Sequence, residues 1–170
     1  MIPSAARPDR WTASTLLAGI ALLGVAAVAA ALVTQHVFGM QPCPWCILQR
    51  AIFLAIALVC TVALVWRGPA GRVVLAALGL LLALAGAGCA LWQHLVAAAS
   101  DSCALTVADR IISTLGLDTL WPDVFLAGSG CADAAANLLG VPYPFWSLAL
   151  FVVMGAACVR VIGLSRRGPG

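Results

Sequence analysis

The sequence predicts an all-α integral membrane protein with four transmembrane helices, and three observations lead to this fold class. Of its 170 residues, 64% are hydrophobic and only 9% are charged, whereas a soluble domain carries about 25% charged residues. Four apolar runs reach the roughly 20 residues that a helix needs to cross the bilayer. None of these runs alternates apolar and polar residues, so a transmembrane β-barrel is not expected.

The four predicted spans form one domain covering residues 1–170, and the segments that join them differ greatly. The apolar runs place the spans at residues 11–34, 47–66, 73–92 and 145–164. A tight turn joins the second span to the third. A short loop, 35–46, and a long loop, 93–144, make the other connections. Residues 104–117 of the long loop carry apolar side chains at helical spacing, which predicts a short amphipathic helix on the membrane surface.

The arginines predict the orientation of the chain. All nine cations are arginines, and seven of them flank the N-terminus, the tight turn and the C-terminus. Basic residues concentrate on the cytoplasmic side, so both termini are expected in the cytoplasm and both loops outside. The first apolar run is longer than the core of a signal peptide, so we expect it to be retained as a span. The net charge of +3 comes without a basic patch, and nucleic acid is not an expected partner.

The seven cysteines separate by their predicted position. Three lie within spans, where cysteine is commonly a small buried hydrophobe, namely Cys60, Cys89 and Cys158. The other four all fall on the outer side, namely Cys43, Cys46, Cys103 and Cys131. Disulfides persist in an oxidising compartment such as a bacterial periplasm, so four thiols on that face suggest two redox pairs.

Two other uses of these four cysteines are possible. A structural zinc site usually takes two closely spaced pairs, whereas 27 residues separate Cys103 from Cys131, so no metal is expected. Two inert structural disulfides are the second alternative. A disulfide between Cys43 and Cys46 closes a very small loop and constrains the unfolded chain little, which makes stability a poor reason for it.

Residues 41–50 read Gln-Pro-Cys-Pro-Trp-Cys-Ile-Leu-Gln-Arg, and this stretch is suited to holding a thiolate at the membrane boundary. Cys46 is expected in the first turn of the second span, where exposed N–H groups and the helix dipole favour negative charge. Arg50 follows one turn later on the same face. A cation beside a thiol at a helix N-terminus is typical of reactive cysteines.

Electrons taken up by a disulfide need an acceptor, and the sequence points to a lipid-dissolved one. It contains neither a Gly-x-Gly-x-x-Gly nucleotide motif nor a Cys-x-x-Cys-His haem motif. A membrane quinone is the natural candidate, with Arg50 and His94 converging near Cys46 to bind its carbonyl oxygens. The alternatives are that His36 and His94 hold haem, that His94 only ends a helix, and that Arg50 snorkels to water. Electrons would enter at Cys103/Cys131 and leave through Cys43/Cys46.

The chain resembles the family of disulfide bond formation protein B, bacterial inner-membrane thiol oxidases. The similarity covers nearly the whole chain. It is carried by Gln35-His36, Pro42-Cys43-Pro44-Trp45-Cys46-Ile47 with Arg50, His94, Cys103, Trp121-Pro122 with Val124-Phe125, and Ser129-Gly130-Cys131. Gln49 stands where some relatives carry an acidic residue.

The resemblance implies a four-helix bundle and ubiquinone or menaquinone as the electron acceptor. It also implies a periplasmic thioredoxin-fold thiol oxidase, DsbA-like, as the partner. Cys103 would form the mixed disulfide with that partner and Cys131 would pair with Cys103, while Cys46 would face the quinone with Cys43 as its partner. Arg50 and His94 match positions near the quinone. A vitamin K epoxide reductase-like enzyme and a non-enzymatic bundle with structural disulfides are the alternatives, and the former is disfavoured because its membrane-edge pair is expected after the loop pair.

Overall fold

The structure is a computed structural model that describes residues 8–66, 68–99, 106–130, 132 and 137–167. Cys103 and Cys131, the predicted cysteines of the long loop, lie outside these residues. Four long helices carry the fold, namely α1 (Pro8–Phe38), α2 (Pro44–Val65), α3 (Pro69–Leu95) and α7 (Tyr143–Arg167). Their apolar parts are 22 to 27 residues long with mean hydropathies of 2.2 to 2.7, enough to cross the hydrocarbon core. The predicted four-span, all-α class is therefore confirmed.

All four long helices begin before the predicted spans, and all except α2 also end after them. Helices α2 and α3 each begin with a proline, Pro44 and Pro69. Proline suits the first helical position, since its missing N–H has no partner there in any case. The apolar runs mark only the portion of each helix that is apolar enough to lie in the hydrocarbon core of the membrane.

Small residues allow the four helices to pack closely, as expected where lipid removes the hydrophobic driving force between helices. The rings of Phe53 and Phe151 stack at 4.0 Å between α2 and α7, and a side chain at Gly86 of α3 would collide with the Phe151 ring. The sequence suggested that Gly86, Gly88 and Ala90 make α3 thin. Gly86 and Ala90 are buried, whereas Gly88 faces open space.

The cysteines within the spans belong to this packing. Cys60 and Cys158 are fully buried in the main core, as predicted. Cys89 is half-buried. Gly79 lies against the sulfurs of Cys60 and Cys158, so α3 contacts both neighbouring helices at that level.

A second, smaller core closes the end of the bundle that carries Cys43 and Cys46. It is formed between the start of α2 and the long connection, which contains a short 3-10 turn (Ala97–Ala99) and the helices α4 (Val107–Thr114), α5 (Leu117–Leu120) and α6 (Pro122–Phe125). Its buried residues are Ile47, Leu48, Ala108, Ile112 and Phe125. The long connection is thus packed onto the first two turns of α2.

Local signals define α4 sharply. The Thr106 hydroxyl accepts a hydrogen bond from the N–H of Asp109, and the Asp109 carboxylate accepts one from the N–H of Thr106. This capping box satisfies two backbone donors at the start of the helix. The helix ends before Gly116, whose φ of 65° lies in the left-handed region that glycine adopts without strain.

A small hairpin not predicted from the sequence precedes α7. Strands β1 (Asn137–Leu138) and β2 (Val141–Pro142) pair antiparallel through Leu139 and Gly140, which both have positive φ. Strands of two residues are too short to show an alternating pattern. The indole N–H of Trp146 donates to the main-chain oxygen of Leu138 at 3.2 Å and holds the hairpin over the first turn of α7.

Candidate functional site

The Cys-x-x-Cys pair forms the first turn of α2. Cys43 is its N-cap residue, and the Cys43 sulfur accepts a hydrogen bond of 3.3 Å from the N–H of Cys46. The N-cap side chain thus satisfies one of the amides in the first turn of the helix that have no partner within the helix. The two Sγ atoms are 2.9 Å apart. Cys43 is fully buried and Cys46 half-buried, so Cys46 is the more accessible sulfur.

Arg50 is held inside the protein by neutral oxygen atoms. Its guanidinium donates to the Gln35 side chain at 2.7 Å, to the main-chain oxygen of Val124 at 3.0 Å and to that of Ala31 at 3.4 Å. Only 5% of the residue is exposed, so it does not snorkel to water. None of these three partners is charged. The cation therefore contributes a positive potential one turn from Cys46, and this potential favours a negatively charged sulfur.

A pair of buried amides reaches the other side of the Cys46 sulfur. The Gln93 amide, near the end of α3, donates to Cys46 Sγ at 3.2 Å. The Gln49 amide donates to Gln93 Oε1 at 2.7 Å. These two residues are 4% and 3% exposed. The sulfur therefore faces one amide donor directly, with a second amide behind it.

A cavity of about 520 Å³ opens beside the thiol pair, between α1, α2 and α7. Its walls are largely apolar, from alanines of α1, Phe53 of α2 and Leu150 of α7. Polar groups also line it, including Cys46, Gln49, Arg50, Thr34, Tyr143 and Ser147. A concave, mostly apolar site with a few convergent polar groups is the usual form of a small-molecule pocket, and its volume lies within the range of about 300–1,000 Å³ for such sites.

The segment that leads towards Cys131 is docked beside the thiol pair. The N–H groups of Gly128 and Ser129 donate to the main-chain oxygen of Pro42 at 3.0 and 3.4 Å. The Ser129 hydroxyl donates to the main-chain oxygen of Gln41 at 3.1 Å. Pro42 is the residue before Cys43, so these contacts bring the long connection to the edge of the cysteine pair.

The structure does not bring all the predicted site residues to one place. Cys43, Cys46 and Arg50 lie together. The ring of His94 packs against that of Phe145, with centroids 4.7 Å apart, and His94 is not among the residues that line the cavity. The neighbouring Gln93 is the residue of α3 that reaches Cys46.

Several residues of the site were not singled out from the sequence as site residues. Gln93 contacts the sulfur, Gln35 contacts Arg50, and Thr34 and Tyr143 bring their hydroxyls within 3.5 Å of each other at the cavity wall. A usable signal existed for the glutamines. A polar side chain within or beside a membrane span needs a partner, so its position marks an internal contact.

Four membrane-spanning helices with a Cys-x-x-Cys pair beside a cavity define a membrane protein of thiol–disulfide chemistry. A protein-family model described as disulfide bond formation protein DsbB matches residues 13–161. The chain belongs to this family, which confirms the resemblance seen in the sequence.

Individual relatives agree with this assignment. The chain is 36% identical over 140 residues to disulfide bond formation protein B of Herminiimonas arsenicoxydans, which covers 82% of this chain and 88% of the relative. It is 36% identical over 146 residues to disulfide bond formation protein B of Stutzerimonas stutzeri, covering 82% and 89%. It is also 36% identical over 156 residues to disulfide bond formation protein B 1 of Pseudomonas savastanoi, covering 88% and 91%.

Proposed function

We propose that this protein is a thiol oxidase of the bacterial inner membrane that reoxidises a periplasmic, DsbA-like thioredoxin-fold protein and passes the electrons to membrane quinone. The observation that carries the proposal is the position of Cys46. Cys46 lies on the wall of the cavity, one helical turn from the buried Arg50. A sulfur that exchanges with protein disulfides thus shares a site with a pocket suited to an apolar ring.

The residues of the cavity fit a quinone. Its apolar walls match a lipid-soluble ring, and Arg50 and the Tyr143 hydroxyl supply donors for carbonyl oxygens. When bound, a quinone supplies an acceptor for two electrons and two protons. The same residues suit ubiquinone and menaquinone, so both remain candidates. His94 belongs to the proposal only as a neighbour of Gln93, since its ring contacts Phe145.

The two cysteines of the pair take different roles. Cys46 is the sulfur that gives up electrons at the cavity, because it lines the wall and receives the Gln93 hydrogen bond. Cys43 is buried and is the residue that closes the disulfide. Reforming the Cys43–Cys46 bond converts two thiols into one disulfide and releases two electrons and two protons.

Cys103 and Cys131 are proposed as the pair that meets the soluble partner. Cys103 forms the mixed disulfide and Cys131 is its resolving partner. Ser129, two residues before Cys131, is bonded to Gln41 beside the first pair, and this contact supports thiol–disulfide exchange between the two pairs. Net transfer runs from partner dithiol to Cys103/Cys131, then to Cys43/Cys46.

The proposed orientation places the thiol end of the bundle in the periplasm and both termini in the cytoplasm. Arg72, Arg160 and Arg166 belong to the first turns of α3 and the second half of α7. These segments are remote along their helices from the end that carries Cys46. Their charge supports the orientation through the positive-inside rule.

Turnover by the purified full-length protein tests the proposal. In lipid nanodiscs, the protein should oxidise a reduced thioredoxin-fold oxidase and reduce a short-chain quinone, which is followed by the loss of the quinone's ultraviolet absorbance. One quinone should be reduced for each partner molecule oxidised. Cys43→Ser and Cys46→Ser should each abolish quinone loss, and Cys89→Ala should retain it as the matched control. Cysteines that stay oxidised with every quinone and reduced partner tried would support the non-enzymatic bundle instead.

A further inference from the structure

The function proposed above uses Gln93 only as a contact of the Cys46 sulfur and gives Gln49 no role. We propose that Gln93 is a positioning residue that holds the Cys46 sulfur as a thiolate directed along the cavity wall, and that Gln49 sets the orientation of the Gln93 amide. This inference rests on the proposed function only for the use that the thiolate is put to, since the hydrogen bonds at the Cys46 sulfur do not depend on electron transfer.

The direction of the hydrogen bonds carries the first step. A thiolate accepts hydrogen bonds and donates none, so it needs a donor in contact. Gln93 presents its Nε2 to the sulfur at 3.2 Å, and its Oε1 is then the atom that faces Gln49, which donates to it at 2.7 Å. The shorter bond fixes which end of the Gln93 amide points at Cys46.

Burial carries the second step. With 4% of Gln93 and 3% of Gln49 exposed, water is poorly placed to take over either bond, and an unpaired amide there is costly. The two residues also come from different helices, α3 and α2. The Cys46 sulfur therefore lies between the Cys43 sulfur, 2.9 Å away at the start of α2, and an amide donor from the facing helix.

The neutrality of the amides carries the third step. Carboxylates at these positions would repel a thiolate, because a like charge disfavours the ionised form. Amides donate to the sulfur without adding charge, so Arg50 remains the charged group beside it.

A purely structural role makes a different prediction. If the pair only ties α2 to α3, Gln93→Glu keeps the size and an acceptor for Gln49 and should be the mildest change. If the pair supports a thiolate, Gln93→Glu should be more harmful than Gln93→Leu, since it replaces a donor by a negative charge.

Alkylation of Cys46 in the reduced full-length protein decides between them. Iodoacetamide is added at neutral pH to protein in nanodiscs, and mass spectrometry of fragmented peptides follows Cys46 separately from Cys43. Gln93→Leu should slow Cys46 alkylation about fivefold. Gln93→Glu should slow it further, and Gln49→Leu should slow it less than Gln93→Leu. Thiol reactivity should be unchanged in the control Thr61→Val, whose hydroxyl donates to the main-chain oxygen of Ala57 within α2.

Unchanged alkylation in Gln93→Leu, or a rate for Gln93→Glu at or above that of Gln93→Leu, would overturn the inference. Thermal melts identify a variant that fails to fold. If Gln93→Leu is that variant, the two single variants Gln93→Glu and Gln49→Leu keep the test decisive. Quinone turnover of the unaltered protein is measured beside the alkylation. If the protein never reduces quinone but its variants show the predicted order of alkylation rates, the proposed function is refuted and the inference about Gln93 is supported.

Discussion

Arg50 donates a 3.0 Å hydrogen bond to the main-chain oxygen of Val124, and this contact joins the interior of the membrane bundle to the long connection. The same guanidinium bonds to Gln35 on α1. One side chain thus links α1, α2 and α6 directly behind the thiol pair. The cation that lines the cavity is therefore also part of what holds the loop in place.

Replacing Arg50 should impair use of quinone before it impairs exchange with the partner. Arg50→Ala removes the charged donor from the cavity, and a hydrogen bond to a charged group contributes about 1.5–3 kcal/mol. We expect the KM for a short-chain quinone to rise about tenfold or more. Steady-state quinone titration checks this, with Arg160→Gln on the exposed side of α7 as the matched control. A KM equal to that of the unaltered protein would exclude Arg50 from the quinone site.

Gly86 should tolerate no side chain, unlike its neighbour Gly88. The added methyl of Gly86→Ala meets the Phe151 ring, which is held by its stack on Phe53, and overpacking of this kind costs about 1–3 kcal/mol. Gly88→Ala enters open space and should be neutral or slightly stabilising. Unfolding in a detergent series measures both variants. Equal stability of the two variants would show that the Phe151 ring is free to move aside. If the ring is held in place, adding Phe151→Leu to Gly86→Ala should restore the stability of the protein.

Docking of the long connection should be needed for exchange between the two cysteine pairs. Gly128→Pro removes the N–H that donates to Pro42 at 3.0 Å. We expect oxidation of the protein partner to slow several-fold or more, because one lost hydrogen bond costs about 1 kcal/mol and the added ring also meets the Gln41 side chain. A small dithiol that reduces Cys43–Cys46 directly should still support normal quinone turnover. If partner oxidation keeps its original rate, the contact at Pro42 has no part in electron transfer.

The two ends of the bundle should react with reagents from opposite sides of the membrane. Leu120 of α5 and Ala70 of α3 are both exposed. In a background without the four outer cysteines, Leu120→Cys should be labelled in intact cells by a membrane-impermeant maleimide. Ala70→Cys should be labelled only after the cells are opened. The reverse pattern would place the thiol end in the cytoplasm and contradict a periplasmic partner.

Much of the functional site follows from local sequence, because its main parts lie within one turn of each other. The pair Cys43 and Cys46 occupies the cap and first turn of α2, and Arg50 follows on the same face. Helical geometry alone places these groups together. The assignment of His94 did not have this support, since it depended on how α3 is rotated against α2. In the structure Gln93 faces the sulfur and His94 faces Phe145.

The sequence by itself determined the four apolar helices, because the hydrocarbon core demands long runs of apolar residues and satisfied backbone hydrogen bonds. It also determined the Cys-x-x-Cys motif at the N-terminus of α2. Only the tertiary structure decided that Gln93, Gln35 and Tyr143 join the site and that the segment before Cys131 docks at Pro42. Their contacts join residues that are 15 to 109 positions apart in the sequence. Such contacts depend on how the helices are rotated and how the loop packs, which is set by the fit of side chains and cannot be predicted from a local sequence pattern.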